Sequence, residues 1–476
     1  MEANELVLTT LADGMTRGVE SVGDRISEAL FEPVIRLGVT GLARSGKTVF
    51  ITSLVANLLD RARMLNLGAE ADGRIVAAYL QPQPDVTLPR FDYENHRTAL
   101  TGPTPHWPES TRSISELRLS LRVRPAGFLA GLQRDKTIHL DIVDYPGEWL
   151  LDLALLDKSY ADWSQEVLTR VANRAEATAF LADLTGVDAT AELSEPVAQQ
   201  LAHSFTHYLN TARDAGYSDC TPGRFLLPGD LAGSPVLTFA PLKPTERTSR
   251  KSLWREMERR FDAYKAKVVK PFFRDHFARL DRQIVLVDAL GAIHNGPRAV
   301  EDMRVAMGEI LSAFRPGKNA FLKSLLIGKR VEKILFAATK ADHLHHVQHP
   351  QLTGVMQALM RDALDRARFA GAETSAMSIA SLRTTTEETL KHDGRSLDCV
   401  RGYLLDSGKQ AAFYPGALPD DPSFLLNPAK AGAESWLDND YKVMKFAPPP
   451  ISLSMHEGPP HIRLDRAAQF LIGDRL

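Results

Sequence analysis

Short apolar runs that end in polar or glycine turns recur along the chain and predict buried β-strands. The runs cover residues 34–40, 137–143, 178–182, 284–287 and 333–338, and a segment with alternating apolar positions covers residues 114–123. Helical patterns, such as the one at residues 49–59, separate them. Strands that alternate with helices predict an α/β fold with a mostly parallel sheet and helices on both of its faces.

Before the first strand, apolar residues recur at spacings of three and four, which predicts an amphipathic helix in residues 1–32. The apolar stripe consists of Leu11, Met15, Val19, Val22, Ile26 and Leu30. Acidic and basic residues are mixed along this segment, whereas a membrane-surface helix would normally be basic. We therefore expect the helix to dock on its own protein or on a partner.

Composition narrows the class of protein. The chain has 476 residues, 44% of them apolar, and a formal net charge of -2 with a pI near 6.7, so it has no overall attraction to nucleic acid or to an anionic membrane. Its two cysteines fit a reducing cytosol better than a disulfide framework. No apolar run approaches the roughly 18 residues that span a bilayer, and no secretory signal precedes the first strand. These features predict a soluble cytoplasmic protein.

The first predicted strand leads into GLARSGKT at residues 41–48, which has the spacing of a phosphate-binding P-loop. Two glycines permit a tight turn whose backbone N–H groups face the phosphates, and the next helix aims its dipole at the same place. Lys47 would reach the β- and γ-phosphate oxygens, and the Thr48 hydroxyl would bind Mg²⁺. The expected phosphate contacts are Gly41, Ala43, Arg44, Ser45, Gly46, Lys47, Thr48 and Val49.

An Asp-x-x-Gly pattern, DYPG at residues 144–147, follows the strand at 137–143. Asp144 would stand at the carboxyl edge of the sheet, where open α/β sheets bind ligands, and would hold Mg²⁺ through water. The Gly147 N–H could approach a γ-phosphate and so sense whether it is present. A second match, DALG at 288–291, follows the run at 284–287. We favour Asp144 because it lies closer in sequence to Thr48, and Asp288 is the alternative.

The strand at 333–338 is followed by TKAD at residues 339–342, and this motif predicts which nucleotide base is bound. A carboxylate at Asp342 can accept the N1–H and 2-amino hydrogens of guanine, and adenine offers neither donor there. Lys340 would lay its stem along the base plane. The commonest form of this motif has Asn where Thr339 stands, and the shorter Thr is expected to brace the phosphate loop less well.

Two further nucleotide contacts are less sharply defined. Thr111, just before the strand at 114–123, is expected to close on Mg²⁺ when a γ-phosphate is present, and Thr101 and Thr104 are alternatives. The turn in residues 376–382 is expected to bring backbone groups to the base oxygen, with the Ser375-Ala376 pair as an alternative match. The expected members of this turn are Ala380, Ser381 and Leu382.

The catalytic groups expected from this pattern are Lys47, Arg44, Gly147 and Glu148. Hydrolysis of GTP needs water attack with neutralisation of the phosphoryl oxygens by Mg²⁺, Lys47 and an additional cation. Arg44, inside the phosphate loop, is favoured over Arg112 as that cation, although it could equally point to solvent. Glu148 occupies the position of the water-orienting residue, and because its carboxylate repels phosphate we expect slow turnover.

Two clusters outside these motifs could carry chemistry. Residues 243–282 contain thirteen Lys or Arg against six Asp or Glu, interleaved with aromatic residues. We favour a solvated helix whose aromatics are core over a surface for anionic lipid, RNA or an acidic partner. Four histidines, His343, His345, His346 and His349, have metal-like spacing, but no nearby cysteine or carboxylate pattern completes a site. A solvated cluster is expected.

The three motifs in this order and spacing resemble those of a Ras-like G domain. The segments DYPGEW at 144–149, WP at 107–108 and FAATKADH at 336–343 resemble the bacterial YcjX family of stress-associated P-loop NTPases. The resemblance runs through most of the chain. It implies a cytoplasmic GTP-binding protein linked to envelope or heat stress and made with a membrane-protein neighbour, with a peripheral place at the inner membrane as a further implication.

This resemblance and the spacing of the elements predict five parts: an N-terminal helix (1–32), the first part of a G domain with an enlarged, Pro-rich switch I (33–188), a mostly helical insertion (189–330), the second part of the G domain (331–388), and a C-terminal extension of short strands and a closing helix (389–476). The expected function is a slow regulatory GTPase that binds GTP or GDP with Mg²⁺ and a protein partner. A scaffold with GTP as a structural ligand and an ATP-preferring P-loop NTPase are the alternatives, and nucleic acid is not favoured as a partner.

Overall fold

A computed structural model describes residues 32–41, 44–109, 113–127, 134–245, 249–312, 331–369, 371–426, 444–453 and 456–476. The predicted N-terminal helix therefore lies outside the described residues except for its last position. Ala43, Thr111 and Arg112 also lie outside them. Among the described residues, no helix has both the length and the apolar character that crossing a bilayer requires.

The described residues form two β-sheets. Their strands are β1 Val34–Gly41, β2 Ile75–Gln81, β3 Ser115–Val123, β4 Lys136–Asp144, β5 Arg282–Val287, β6 Lys333–Ala338, β7 Glu373–Ser378, β8 Thr385–His392, β9 Arg395–Tyr403 and β10 Gln410–Phe413. Seven strands form one sheet in the order β2-β3-β4-β1-β5-β6-β7, and three more form a separate antiparallel sheet in the order β10-β9-β8. In the large sheet, β1 is parallel to β4 and β5, and β6 and β7 continue this parallel run, while β3 is antiparallel to both β2 and β4. The predicted α/β fold with a mostly parallel sheet is confirmed.

Helices connect these strands and cover the sheet. Those of the described residues are α1 Lys47–Leu59, α2 Gly68–Ala71, α3 Tyr93–Thr101, α4 Glu148–Leu151, α5 Tyr160–Val171, α6 Thr178–Thr185, α7 Glu195–Asp214, α8 Gly223–Leu226, α9 Leu253–Tyr264, α10 Lys270–Asp275, α11 Ala289–His294, α12 Pro297–Ser312, α13 His349–Leu359, α14 Arg361–Phe369, α15 Ser423–Leu426 and α16 Leu464–Ile472. A π-helical turn, Lys265–Val269, links α9 to α10.

The central strands are apolar on both faces because each face packs against its own core. In β5, Ile284 and Leu286 belong to one apolar cluster, whereas Val285 and Val287 belong to the other. The first cluster includes α1 and the closing helix α16, and the second includes the helices between β4 and β5. This two-sided burial explains why these strands read as continuous apolar runs.

One predicted strand, residues 178–182, is wrong. This segment lies in the helix α6, where Phe180 is the only buried residue and packs on the rings of Phe205 and Tyr208. A short apolar run does not distinguish a strand from a helix that buries one side chain. The strand in that part of the chain is β5, which falls inside the range predicted as an insertion but pairs with β1 and β6 in the large sheet. The helical segments therefore lie between β4 and β5.

The aromatic residues of the basic segment 243–282 are core, as the sequence analysis favoured. Trp254, Phe261, Tyr264, Phe272, Phe273 and Phe277 are all buried. Several of the basic side chains are paired on the surface with acidic neighbours, including Arg259 with Glu256 and Arg274 with Asp275. The charge asymmetry of this segment is thus partly balanced by ion pairs along its own helices.

The closing helix predicted at the end of the chain is confirmed as α16. Its buried side chains Leu464, Ala467 and Leu471 pack into the cluster that also contains β1 and α1. Arg282, at the start of β5, is 1% exposed and donates to the Leu471 carbonyl and to Asp474. The end of the chain is therefore fastened to the middle of the large sheet.

Candidate nucleotide-binding site

Parallel pairing brings the carboxyl ends of four strands to one edge of the large sheet. The register pairs Val39 of β1 with Asp144 of β4, and Gly41 with Leu286 of β5. Val287 of β5 lies opposite Ala338 of β6, the residue before Thr339. The predicted phosphate, metal and base segments therefore begin at the same edge, where α/β sheets bind ligands.

The phosphate loop has the turn geometry that its glycines predict. A Cβ on Gly41 would lie 2.5 Å from the Leu286 carbonyl oxygen, so only glycine fits there. Arg44 and Gly46 have left-handed backbones, with φ of 64° and 85°. Lys47 Nζ donates to the Gly41 carbonyl at 2.6 Å, which holds the ammonium across the loop. The buried Ser45 Oγ has no hydrogen-bond partner among the described residues, which fits a loop that binds phosphate oxygens.

Thr48 and Asp144 supply hard oxygen atoms next to this loop. Thr48 lies in the first turn of α1 and is 8% exposed, and Asp144, the last residue of β4, is fully buried. A hydroxyl and a carboxylate are the donors that Mg²⁺ prefers, so this pair fits the ion that accompanies a nucleotide triphosphate.

The turn after Asp144 is buried beneath the helices that precede β5. Trp149 Nε1 donates to the Leu227 carbonyl at 3.1 Å, and the Arg224 guanidinium lies 3.2 Å from the centre of the Trp149 ring. A Cβ on Gly223 would come within 2.2 Å of the Glu148 carbonyl oxygen. Glu148, predicted to act near the γ-phosphate, is itself 7% exposed. The segment expected to sense the γ-phosphate thus contacts α8 directly.

Asp152 anchors this contact, although it belongs to none of the sequence motifs. Its carboxylate accepts from the Gly223 N–H at 2.8 Å and from the Tyr264 hydroxyl at 2.5 Å. Burial raises the pKa of Asp152 to about 7, although these hydrogen bonds oppose the shift. No local pattern marks this residue, because its partners come from α8 and α9.

At the base end, Asp342 is held by a residue that the sequence analysis also missed. Its Oδ2 accepts from the Thr384 backbone N–H at 2.8 Å and from the Thr384 hydroxyl at 2.6 Å. Thr385 Oγ1 donates to the Asp342 carbonyl. Both Thr384 donors end on one oxygen, so Oδ1 is the carboxylate oxygen that Thr384 does not engage. This arrangement orients the carboxylate for a ligand with an N–H edge.

The other motif residues at the base end contact β5 and the turn that follows it. Thr339 donates from both its backbone N–H and its hydroxyl to the Val287 carbonyl, so it braces β5. Lys340 has a left-handed backbone with φ of 61°, and its ammonium pairs with Asp288 Oδ2. Asp288 Oδ1 accepts from the Gly291 N–H as the N-cap of α11.

The predicted turn in residues 376–382 is divided between strand and loop. The alternative pair, Ser375 and Ala376, lies within β7 and is paired with β6, so it is not in a turn. Ala380 exchanges both backbone hydrogen bonds with Ile462, which leaves Ser381 and Leu382 as the remaining predicted contacts. All three residues of this predicted turn are buried or nearly so.

Comparison with known proteins decides the family. A model of the YcjX-like family, DUF463, matches residues 35–476. The chain belongs to the YcjX-like family. It is 37% identical over 460 residues to the Ras-like GTPase YcjX of Escherichia coli K12, covering 93% of this chain and 96% of that protein. It is 34% identical over 473 residues to the Ras-like GTPase YcjX of Shewanella oneidensis, covering 93% and 94%.

Membership of the YcjX-like family confirms the predicted resemblance and agrees with the fold. Both relatives are named Ras-like, and the large sheet here has the P-loop after β1, an antiparallel strand β3 beside β4, and parallel strands β5 to β7 on the other side of β1. In this YcjX-like chain, β2 adds an antiparallel edge strand, and helices α4 to α10 lie between β4 and β5.

Proposed function

We propose that the chain binds GTP and GDP with Mg²⁺ and hydrolyses GTP slowly as a regulatory switch. The observation that carries the proposal is the buried Asp342 carboxylate, fixed by Thr384 at the sheet edge that also holds the Lys47 loop. A guanine edge offers the two N–H donors that such a carboxylate accepts. The names of the two YcjX relatives support the same chemistry.

In this proposal, the loop amides and Lys47 bind the phosphates, and Lys47 exchanges the Gly41 carbonyl for a phosphate oxygen. Thr48 and Asp144 hold Mg²⁺, which neutralises charge on the phosphoryl oxygens. Glu148 is the proposed water-orienting side chain, and because its carboxylate would repel the phosphate, we expect slow turnover. Arg44 is the proposed additional cation because it lies within the phosphate loop, where its backbone is left-handed.

The proposal is tested by calorimetric titration of nucleotide-free protein in Mg²⁺ with GDP, a non-hydrolysable GTP analogue and ADP. We expect both guanine nucleotides to bind about 10⁴-fold or more tightly than ADP. Equal binding of ADP and GDP would overturn the guanine site and favour an ATP-type P-loop NTPase.

The variant Asp342→Asn sharpens this test, because the structure predicts how the new amide is oriented. Thr384 donates to the oxygen bound at the Oδ2 position, so the NH₂ group faces the base. Xanthine presents an oxygen where guanine has its amino group, so we expect lost GDP binding and gained XDP binding. Asp365→Asn, on the exposed face of α14, is the matched control and should leave both affinities unchanged.

Turnover is tested separately by single-turnover hydrolysis of GTP. Arg44→Ala should slow the reaction, and an unchanged rate would rule out Arg44 as the cation. Undetectable hydrolysis in the wild-type protein, with intact GTP binding, would favour GTP as a structural ligand in a scaffold.

The cellular setting follows from the family resemblance. We propose a cytoplasmic protein that acts in bacterial stress through a protein partner, with a membrane protein as the candidate partner. Co-purification from cells in the GTP-analogue and GDP states would test this, since a switch should retain its partner in one state only.

A further inference from the structure

Two of the four histidines that follow Asp342 lie next to a carboxylate on β8. His345 and His346 lie before α13, and Glu387 lies on β8. One ligand atom from each of the three side chains lies within 4.8 Å of the others. His346 Nδ1 is 2.7 Å from Glu387 Oε2, and His345 Nε2 is 3.9 Å from the same oxygen. We propose that these three residues form a Zn²⁺ site.

The donor set fits zinc better than the ion that accompanies a nucleotide. Two imidazoles and one carboxylate are typical zinc ligands and leave a fourth position for water. Imidazole nitrogen favours zinc over Mg²⁺, which takes oxygen donors. This site is therefore chemically distinct from the Thr48 and Asp144 pair.

Burial holds His345 in place beside Glu387. His345 is 8% exposed, and its Nε2 is the ring nitrogen that lies 3.9 Å from Glu387 Oε2. This nitrogen and His346 Nδ1 would bind the metal together with the Glu387 carboxylate. The other ring nitrogen of His345, Nδ1, is buried without a hydrogen-bond partner among the described residues and would not bind the metal. The expectation that all four histidines form a solvated cluster is wrong for His345 and His349, which are 8% and 2% exposed, whereas His346 is exposed.

The remaining two histidines have other roles, which limits the site to three ligands. His349 Nε2 lies 2.8 Å from the Ala341 carbonyl oxygen, and Arg463 donates to its Nδ1. His343 packs edge-on against Phe446 with ring centres 5.1 Å apart. Arg383 lies 3.6 Å from Glu387 Oε1, so it orients the carboxylate and leaves Oε2 toward the histidines.

A metal at this position would join the same two segments that form the base end. Glu387 follows Thr384 and Thr385, which donate to Asp342, while His345 and His346 follow Asp342 in the loop. Zinc would therefore hold the Thr384 segment against the Asp342 loop. We expect it to strengthen GDP binding several-fold, an effect that rests on the proposed function, whereas metal binding does not.

The test is Zn²⁺ titration of tag-free, chelator-treated full-length protein without nucleotide, followed by metal analysis after dialysis. We expect one tightly bound Zn²⁺ per chain, and at least about tenfold weaker binding in His346→Ala and in Glu387→Gln. His392→Ala removes an exposed histidine near Asp393 in the same small sheet and is the matched control. Co²⁺ in place of Zn²⁺ should give the intense visible bands of a four-coordinate site, which the two site variants lose.

Equal zinc affinity in wild type and His346→Ala would overturn the site, as would binding that saturates only at millimolar Zn²⁺. GDP titrations with and without Zn²⁺ then separate the two proposals. Zinc binding without any GDP binding would contradict the proposed function and support the metal site. GDP binding without zinc binding would support the proposed function and contradict the metal site.

Discussion

The turns that follow β4 and β5 share the pattern Asp-x-x-Gly and flank β1 on opposite sides, but they are built differently. Asp288 caps the helix that follows it and also pairs with Lys340, so its carboxylate is bound to its own turn and to the base side. After Asp144, helix α4 begins at Glu148, and its N-cap Gly147 gives no side-chain cap. One aspartate serves its local turn, and the other stands fully buried beside the phosphate loop.

This difference teaches that the role of the motif depends on the segment that comes after it in the chain. After Asp288 comes an ordinary capped helix, as the pattern allows for any N-cap aspartate. After Asp144 comes a buried turn that contacts α8 through Trp149 and Gly223. Asp144 remains the proposed residue on the phosphate side and Asp288 the alternative, and variants of the two turns can distinguish them.

The largest expected effect is the difference between substitutions of Asp144 and of Asp288. Asp144→Asn should lower Mg²⁺-dependent GTP hydrolysis by about 10- to 100-fold, the usual loss when a group that orients a metal-bound ligand is removed. Asp288→Asn keeps an N-cap side chain and should change the rate much less. Single-turnover hydrolysis across a Mg²⁺ titration measures both, and the opposite ranking would assign the metal side to Asp288.

A second prediction concerns the contact that only the Asp144 turn makes. Gly223→Ala places a Cβ against the backbone of Glu148 and Trp149, which cannot move aside as a side-chain tip can. We expect the free energy of unfolding to fall by about 1–3 kcal/mol. In Gly354→Ala, within α13, the new Cβ meets nothing within 4 Å, so that variant should be slightly more stable. Urea denaturation compares the two, and equal midpoints would contradict the close packing.

A third prediction comes from Asp152, which accepts hydrogen bonds from Gly223 and Tyr264 next to the Asp144 turn. Its pKa is raised to about 7 in the folded protein, against about 4 in the unfolded chain. The folded state therefore binds the extra proton between these values, so the contribution of Asp152 to the free energy of unfolding falls as pH rises from about 4 to about 7. Asp152→Asn should remove this part of the dependence of the unfolding free energy on pH. Urea midpoints of wild type and variant at pH 5 and pH 8 measure the difference. Equal changes in the two proteins between these pH values would contradict the prediction.

The smallest expected effect is that of a substitution in the turn that follows Asp288. A Cβ at Gly291 would approach Asp288 Oδ2 at 2.8 Å, but this atom is the tip of a side chain that can rotate away. Gly291→Ala should therefore cost about 1 kcal/mol through the weakened N-cap. Thermal unfolding measures the loss, and we expect GTP hydrolysis to stay near the wild-type rate. A collapse in hydrolysis would show that this turn, too, serves the nucleotide.

Strands with strong local signals were predictable from the sequence. The bounds of β6 agree with the prediction, and those of β1 and β4 agree to within one residue, because buried parallel strands are apolar on both faces. The phosphate loop was also predictable, because Gly41 has no room for a Cβ and Gly46 has a positive φ. What the sequence could not supply were partners distant along the chain. Thr384 on Asp342, Tyr264 on Asp152 and Glu387 beside His346 are each known only from the folded structure.

Fastening of α16 to the large sheet has a consequence for how the protein is made. Synthesis proceeds from the N-terminus, and domains generally fold as they emerge. Here the apolar face of β5 and β6 packs against α16, and Ile462 pairs with Ala380 beside the base end. The ribosome has therefore made nearly the whole described chain before this face can close. Until α16 has been made, the apolar side chains of β5 and β6 that pack against it lack this cover, and we expect chaperones to bind them during translation.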